Sequence, residues 1–314
     1  MRRLLCLRIV LACLPTISFA QTITQNFGSG ANAFTMDFVT IGNPGNVADT
    51  TGSPNPAGSV AYIYNIGKYE VSRDQIAKAN LAGSLGITMF DSISWGGDGV
   101  SKPASGVNWY EAAKFVNYLN ISTGNSSAYK FDGGGKFQLW SSADAGYDVN
   151  NEYRNSLAKY VLPSSAEWYK AAYGSPSGTW YNYPTGSDTA PIAVAGGTDP
   201  NTSVYNQSGP ADITNAGGLS AYGTMGQGGN MWEWTESARD GSNDLGGEFR
   251  EIRGGMWDWG GQVGAQLSTQ LSSGGSPDIE WWSDGFRVAM IPEPSSFSLL
   301  VLGGLVVALG RKIG

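Results

Sequence analysis

The sequence predicts an α+β domain with few regular elements and many loops. Three observations lead there. Strand-like segments gather near the start of the chain, three short helices each open on a capping signal, and 45 glycines coexist with 11 tryptophans. Glycine at that density favours turns and irregular connections. Tryptophan supplies large apolar area around which a loop-rich core is organised. That many aromatics fits poorly with a disordered low-complexity chain.

Phe34–Ile41, FTMDFVTI, alternates in part, and Val60–Ile66, VAYIYNI, alternates less cleanly; both are rich in β-formers. Between them GNPGNVADTTGSPNPAGS is dense in turn residues and reads as a loop. Ser72-Arg-Asp-Gln75 has the spacing of a capping box and opens a helix to about Leu81. Asn108-Trp-Tyr-Glu111 opens a second helix, to about Leu119, with Ala112, Phe115, Val116 and Leu119 at helical spacing. Ser164-Ser-Ala-Glu167 opens a third, which carries Trp168, Ala171 and Ala172. Beyond it only brief strands are expected, Glu251–Arg253 and Gly285–Ala289, among loops and tryptophans. There is no internal repeat.

Both ends have the character of processing signals. MRRLLCLRIVLACLPTISFA places Arg2, Arg3 and Arg8 around a short apolar run that ends in Ser18-Phe19-Ala20, the pattern of a secretory signal cut after Ala20. A lipoprotein signal at Val10-Leu11-Ala12-Cys13 is the rival reading, with a very short apolar run ahead of the cysteine. At the other end Pro292-Glu293-Pro294 precedes a 16-residue apolar stretch, Ser295–Gly310, and then Arg311-Lys312. That length is just under the ~17–25 residues of a spanning helix. The stretch is apolar on every face, unlike a core helix with one buried stripe, and the basic pair would hold the tail on the cytoplasmic side. This tail resembles the PEP-CTERM sorting signal of Gram-negative bacteria. The resemblance implies an exosortase-type processing system as a partner, membrane contact through the C-terminal helix before processing, and a final location at the cell envelope, surface or extracellular matrix. The expected organisation is a signal at 1–20, a single domain at 21–291 and a sorting tail at 292–314.

Without Arg2, Arg3, Arg8, Arg311, Lys312 and Glu293, the body keeps 14 Lys plus Arg against 25 Asp plus Glu, a net of −11. An acidic body lacks the cationic footprint that nucleic acid requires. The two cysteines, Cys6 and Cys13, both fall in the leader, and the chain has no histidine. The body therefore has no disulfide, although an exported compartment permits one. It offers no thiolate, imidazole or nitrogen–sulfur metal site.

Five motifs then occur in order: Pro103 with Val107-Asn108-Trp109 and Ala112; Tyr160-Val-Leu-Pro-Ser-Ser-Ala-Glu-Trp168; Gly229-Asn-Met-Trp-Glu-Trp234; Arg253-Gly-Gly-Met-Trp257; and Gly285-Phe-Arg-Val288. Together they resemble the sulfatase-modifying factor family, the formylglycine-generating enzyme domain, from about Val39 to Ala289. The resemblance implies a modified C-type-lectin-like α+β fold. Active members of that family bind copper through two cysteines that follow the Arg-Gly-Gly-Ser-Trp motif. Here Asp258–Leu271 contains none. Cu(I) selects soft thiolate ligands, so no copper is expected, and the resemblance carries the fold without the oxidase chemistry.

The resemblance also implies calcium at GNMWEW, through the Gly229 and Met231 carbonyls and the Glu233 carboxylate, hard oxygen donors that suit this ion. The family's Asp or Asn three residues earlier is Gly226 here, and Asn206 and Asp212 are candidates for a separate calcium site. The competing reading makes Trp232 and Trp234 core anchors and pairs Glu233 with a buried arginine such as Arg253. Arg253 and Arg287 read as buried structural ion pairs, or as a grip on an anionic ligand. Trp257 with Trp259, and Trp281-Trp282 with Asp284, are candidates for a sugar-stacking surface; core packing is the alternative. The expected function is a non-catalytic binding or structural module, with an extracellular polysaccharide or a surface protein as its ligand. The alternatives are a formylglycine-type oxidase with an unrecognised site and a carbohydrate-directed hydrolase, for which no carboxylate spacing singles out a pair.

Overall fold

The computed structural model describes residues 21–90, 99–258 and 267–291. The segments read from the sequence as a leader, 1–20, and a sorting tail, 292–314, lie outside the described residues. Among the described residues no helix is long and apolar enough to cross a membrane.

In chain order the first elements are β1 (Thr22–Phe27), β2 (Phe34–Ile41), β3 (Tyr64–Gly67), α1 (Arg73–Gly83) and α2 (Trp109–Ser122). Then come β4 (Lys130–Phe131), β5 (Phe137–Gln138), β6 (Tyr160–Val161), α3 (Ser165–Tyr173), β7 (Ile192–Ala193) and β8 (Thr202–Ser203). The chain ends in β9 (Trp232–Ala238), β10 (Arg250–Arg253), β11 (Ser273–Gly275), β12 (Asp284–Phe286) and β13 (Ala289–Met290). Three helices among many short strands and long loops give the expected α+β class.

All three capping boxes form. Ser72 Oγ accepts from Gln75 N–H at 3.2 Å, and the Gln75 side chain accepts from Ser72 N–H at 2.9 Å. Asn108 with Glu111, and Ser164 with Glu167, repeat the exchange. Each box satisfies two amide donors that a helix start would otherwise leave open. α1 continues to Gly83 and stops where Ser84 takes a left-handed backbone, φ 51°.

One sheet has the order β1-β2-β3-β13-β6 and is antiparallel throughout. Residues of β2 alternate in burial to Phe38, after which Val39 is buried as well. The expected Val60–Ile66 strand begins only at Tyr64, because Tyr62 and Ile63 are exposed and outside the sheet. β1 is an edge strand that pairs from Thr22↔Val39 to Phe27↔Phe34. The second sheet has the order β11-β10-β9-β12, with β12 parallel to β9. The expected strand Gly285–Ala289 is two strands: β12 belongs to the second sheet and β13 to the first. Arg287 and Val288 are the crossing between them.

The main core joins the inner face of the first sheet, α2 and the tryptophans of β9. Trp109 meets Tyr129, Phe137 and Tyr153 edge to face, at centroid distances of 5.1, 5.2 and 6.0 Å. Its indole N–H donates to Thr235 O at 2.9 Å, and that of Trp234 to Val107 O at 2.8 Å. Buried indoles with satisfied N–H groups are what a loop-rich domain needs in place of long elements.

Candidate functional site

The turn before β9 is tight. Gly229 has φ 80°, and a Cβ there would stand 2.2 Å from Val204 O, so only glycine fits. Asn230 is also left-handed, at φ 60°. Its side chain accepts from Ala211 N–H at 2.8 Å and donates to Glu70 Oε2 at 2.6 Å. β9 then carries Trp232, Glu233 and Trp234 into the interior, where both tryptophans are core anchors.

Glu233 is 0% exposed. Its Oε1 accepts from Arg287 Nη2 at 2.6 Å, and its Oε2 accepts from Arg287 Nε and from Trp168 Nε1, each at 2.6 Å. The guanidinium grips the carboxylate two-pronged, the strong geometry for such a pair. Its remaining N–H groups donate to Gly67 O and Met225 O, both at 2.9 Å, and to Lys68 O at 3.4 Å. β12 sets this up, because its parallel register places Gly285 beside Glu233 and sends Arg287 into the crossing between the sheets.

The partner of Glu233 is thus Arg287 and not Arg253. Arg253 stands directly across from Glu233 in the β9–β10 register. Its guanidinium nevertheless turns to Glu251 Oε1 at 2.9 Å, to Leu271 O and to Ser53 O, and lies over the Tyr169 ring. Both arginines serve buried ion pairs, as the structural reading of each expected.

Glu70 completes the cluster, and nothing in the motifs pointed to it. It is buried in the short link between β3 and α1. Its Oε1 has no hydrogen-bond partner among the described residues. Burial and the nearby Glu233 hold its carboxyl well above the usual carboxylate range, against the pull of Arg287 and Asn230. Gly226 lies against it: at φ 76°, a Cβ there would be 3.1 Å from Glu70 Oε2. The Glu70 carboxyl therefore crowds the space into which the family's Asp or Asn would project.

These donors do not fit calcium as the resemblance implies. Both Glu233 oxygens already accept N–H groups, and a cation placed on them would face the Arg287 guanidinium. The Gly229 and Met231 positions belong to a packed turn, with Gly229 N–H on Gly254 O at 2.7 Å and Met231 fully buried. Asn206 is exposed, and Asp212 is paired with Lys102 at 3.3 Å. Neither hydrogen-bonds to Glu233, and among the described residues no group of three or more acidic, histidine or cysteine residues is placed to hold a metal ion.

The tryptophans of the proposed stacking surface are not brought onto one open face. Trp257 is 2% exposed and meets Trp282 edge to face at 5.1 Å. Trp281, 53% exposed, turns to solvent. Trp259 lies outside the described residues. Asp284 is buried, with Oδ1 near Ser283 Oγ at 3.3 Å and Oδ2 unpartnered among the described residues. Burial pushes its carboxyl up to about 7, opposed only by Ser283.

Copper also lacks a home by the chemistry of the donors: no residue from 21 to 291 is a cysteine or histidine. Residues 35–291 match the family model described as the sulfatase-modifying factor enzyme 1-like domain. Among solved structures, Treponema denticola variable protein 1 is similar over 86% of this chain and 99% of its own, at 20% identity and TM-score 0.59. CarF is similar over 82% of this chain and 99% of its own, at 18% identity and TM-score 0.54. At these identities the likeness is one of fold, the modified C-type-lectin-like arrangement. No curated protein matches.

Proposed function

The chain belongs to the sulfatase-modifying factor enzyme 1-like domain family, and from that premise we propose that it is a member without oxidase chemistry, exported as a binding or structural module. One observation carries this reading: the body has no thiol and no imidazole, so the soft donors that copper chemistry needs are missing from the whole domain. The ion cluster at GNMWEW supports it, since Glu233, Arg287 and Trp168 consume one another's polar groups and leave nothing to act on a substrate. The leader and the Pro-Glu-Pro tail support export to the envelope, surface or matrix through an exosortase-type system. An extracellular polysaccharide or a surface protein is the ligand in this reading.

The test uses the mature chain with copper and a peptide that carries the sulfatase cysteine motif, followed by mass spectrometry. The peptide should keep its cysteine mass. Conversion to formylglycine would overturn the reading. In parallel, an immobilised panel of extracellular polysaccharides should retain the protein without any release of reducing ends.

A further inference from the structure

A cavity of about 540 Å³ opens where the start of α3, the end of β9 and the 48–59 loop meet. It lies apart from the ion cluster, and none of the sequence motifs marks it as a site. Its floor holds Glu251, 5% exposed. Glu251 Oε1 accepts from Arg253 Nε and from Ser272 Oγ, both at 2.9 Å, whereas Oε2 accepts no hydrogen bond among the described residues. That second oxygen is an acceptor open to a donor that enters the cavity.

The rim supplies the opposite polarity. Arg239 is exposed and lines the cavity, and its guanidinium has no ion pair or hydrogen bond among the described residues. Its stem is braced on β11, where a Cβ at Gly274 would come within 2.5 Å of Arg239 Cδ. The α3 N-terminus faces the same space. There Ser165 N–H donates to Ser237 Oγ at 3.0 Å, but Ala166 N–H has no acceptor among the described residues. Free amides at a helix start favour an anion. Asp240, also at the rim, spends Oδ1 on its own turn by accepting from Ser242 N–H at 3.0 Å. Pro54 and Pro56 form an apolar wall, and among the described residues no aromatic ring lines the space.

We propose that this cavity binds an acidic sugar, a uronate unit of an extracellular polysaccharide. The sugar carboxylate meets Arg239 and Ala166 N–H, and sugar hydroxyls donate to Glu251 Oε2 and exchange hydrogen bonds with the serines. The volume falls within the roughly 300–1,000 Å³ of small-ligand sites, enough for one or two sugar rings. Inorganic phosphate would set its charge against Glu251. A neutral sugar would leave the arginine and the helix amide without an anion. The chain's net charge of −7 opposes a polyanion at long range, so recognition rests on these local groups. The assignment rests on the reading of the chain as an extracellular binding module.

The test is calorimetric titration of the mature chain with a galacturonate trisaccharide, with maltotriose, inorganic phosphate and L-alanine as controls. The trisaccharide should bind, and the three controls should bind at least tenfold more weakly. Arg239→Ala, on an exposed side chain whose loss spares the fold, should weaken uronate binding at least tenfold with an unchanged melting temperature. Glu251→Gln keeps the size and the Oε1 acceptor but removes the counter-ion of Arg253, so its melting temperature falls, and at a temperature where it is fully folded it should weaken uronate binding similarly. Absence of trisaccharide binding, equal binding by wild type and Arg239→Ala, or tighter binding of phosphate or L-alanine would each overturn the assignment. Retention on neutral polysaccharide alone would leave the module reading standing and sink this site. Peptide oxidation together with normal uronate binding would do the reverse.

Discussion

Replacing Glu233 by glutamine keeps the shape of the side chain and removes its charge. In the native cluster three N–H groups, each at 2.6 Å, converge on the two carboxylate oxygens. An amide at the Oε2 position would oppose Arg287 Nε and Trp168 Nε1 with a donor, so the amide nitrogen must take the Oε1 side and oppose Arg287 Nη2. Arg287 keeps its backbone carbonyls but is left as a buried charge without a counter-ion. Removing one partner of a buried pair costs about 3–5 kcal/mol, which corresponds to a fall of roughly 6–20 °C in melting temperature for a domain of this size. Glu70→Gln, in the same cluster, is the control. Burial and Glu233 hold the Glu70 carboxyl well above the usual carboxylate range, which favours the neutral form that the amide imitates, so this change should cost about 1 kcal/mol or less. Urea unfolding of both variants and wild type at pH 7, with and without a calcium chelator, measures the contrast. The reasoning fails if Glu233→Gln unfolds like wild type or if Glu70→Gln is as costly. A fall in wild-type stability on chelation would put a cation where Arg287 has been placed.

Two further outcomes are expected. Asp284 has its carboxyl raised to about 7 in the folded chain from an ordinary value of 3.8, so the folded state holds a proton that the unfolded state has released. Its contribution to stability is full below about pH 4 and is lost as pH rises through 7. Asp284→Asn should flatten the stability–pH curve across that window, by up to about 4 kcal/mol for a shift of this size, and an unchanged slope in pH-dependent urea melts would exclude the assignment. Deleting residues 292–314 should leave the chain exported but released into the medium, and a truncated chain that still fractionates with the envelope would remove the sorting role of the tail.

The helices were legible because a capping box is local: four residues declare the start, and the structure uses all three. β1 was not legible, since Thr22–Phe27 carries little apolar character and is ordered by pairing with β2. Gly285–Ala289 looked like one strand because its composition is continuous, whereas the change of sheet at Arg287 is a matter of topology. At the site, the need of a buried Glu233 for a donor could be read from its apolar neighbours. The identity of the donor could not, because Arg253 and Arg287 have equally glycine-rich and apolar surroundings, and only the parallel β9–β12 pairing selects Arg287. Glu70 carried no signal at all. Its role is visible only from Gly226, whose missing side chain is explained once the carboxyl beside it is placed.

The crossing at Arg287 and Val288 also decides when this chain is able to fold. β13 lies between β3 and β6, so the last of the described strands to be synthesised is an interior strand of the first sheet. Until residues 284–290 have emerged, β6 has no neighbour to pair with, Glu233 has no guanidinium, and β9 lacks one flank. A growing chain is therefore held open by its own topology, with most of its contacts long-range and slow to form. Completion comes within a few residues of Ile291, immediately before the Pro-Glu-Pro segment. A stop codon anywhere upstream of Asp284 removes a strand from each of the two larger sheets and the arginine between them in a single step, so the fold tolerates no gradual shortening from that end.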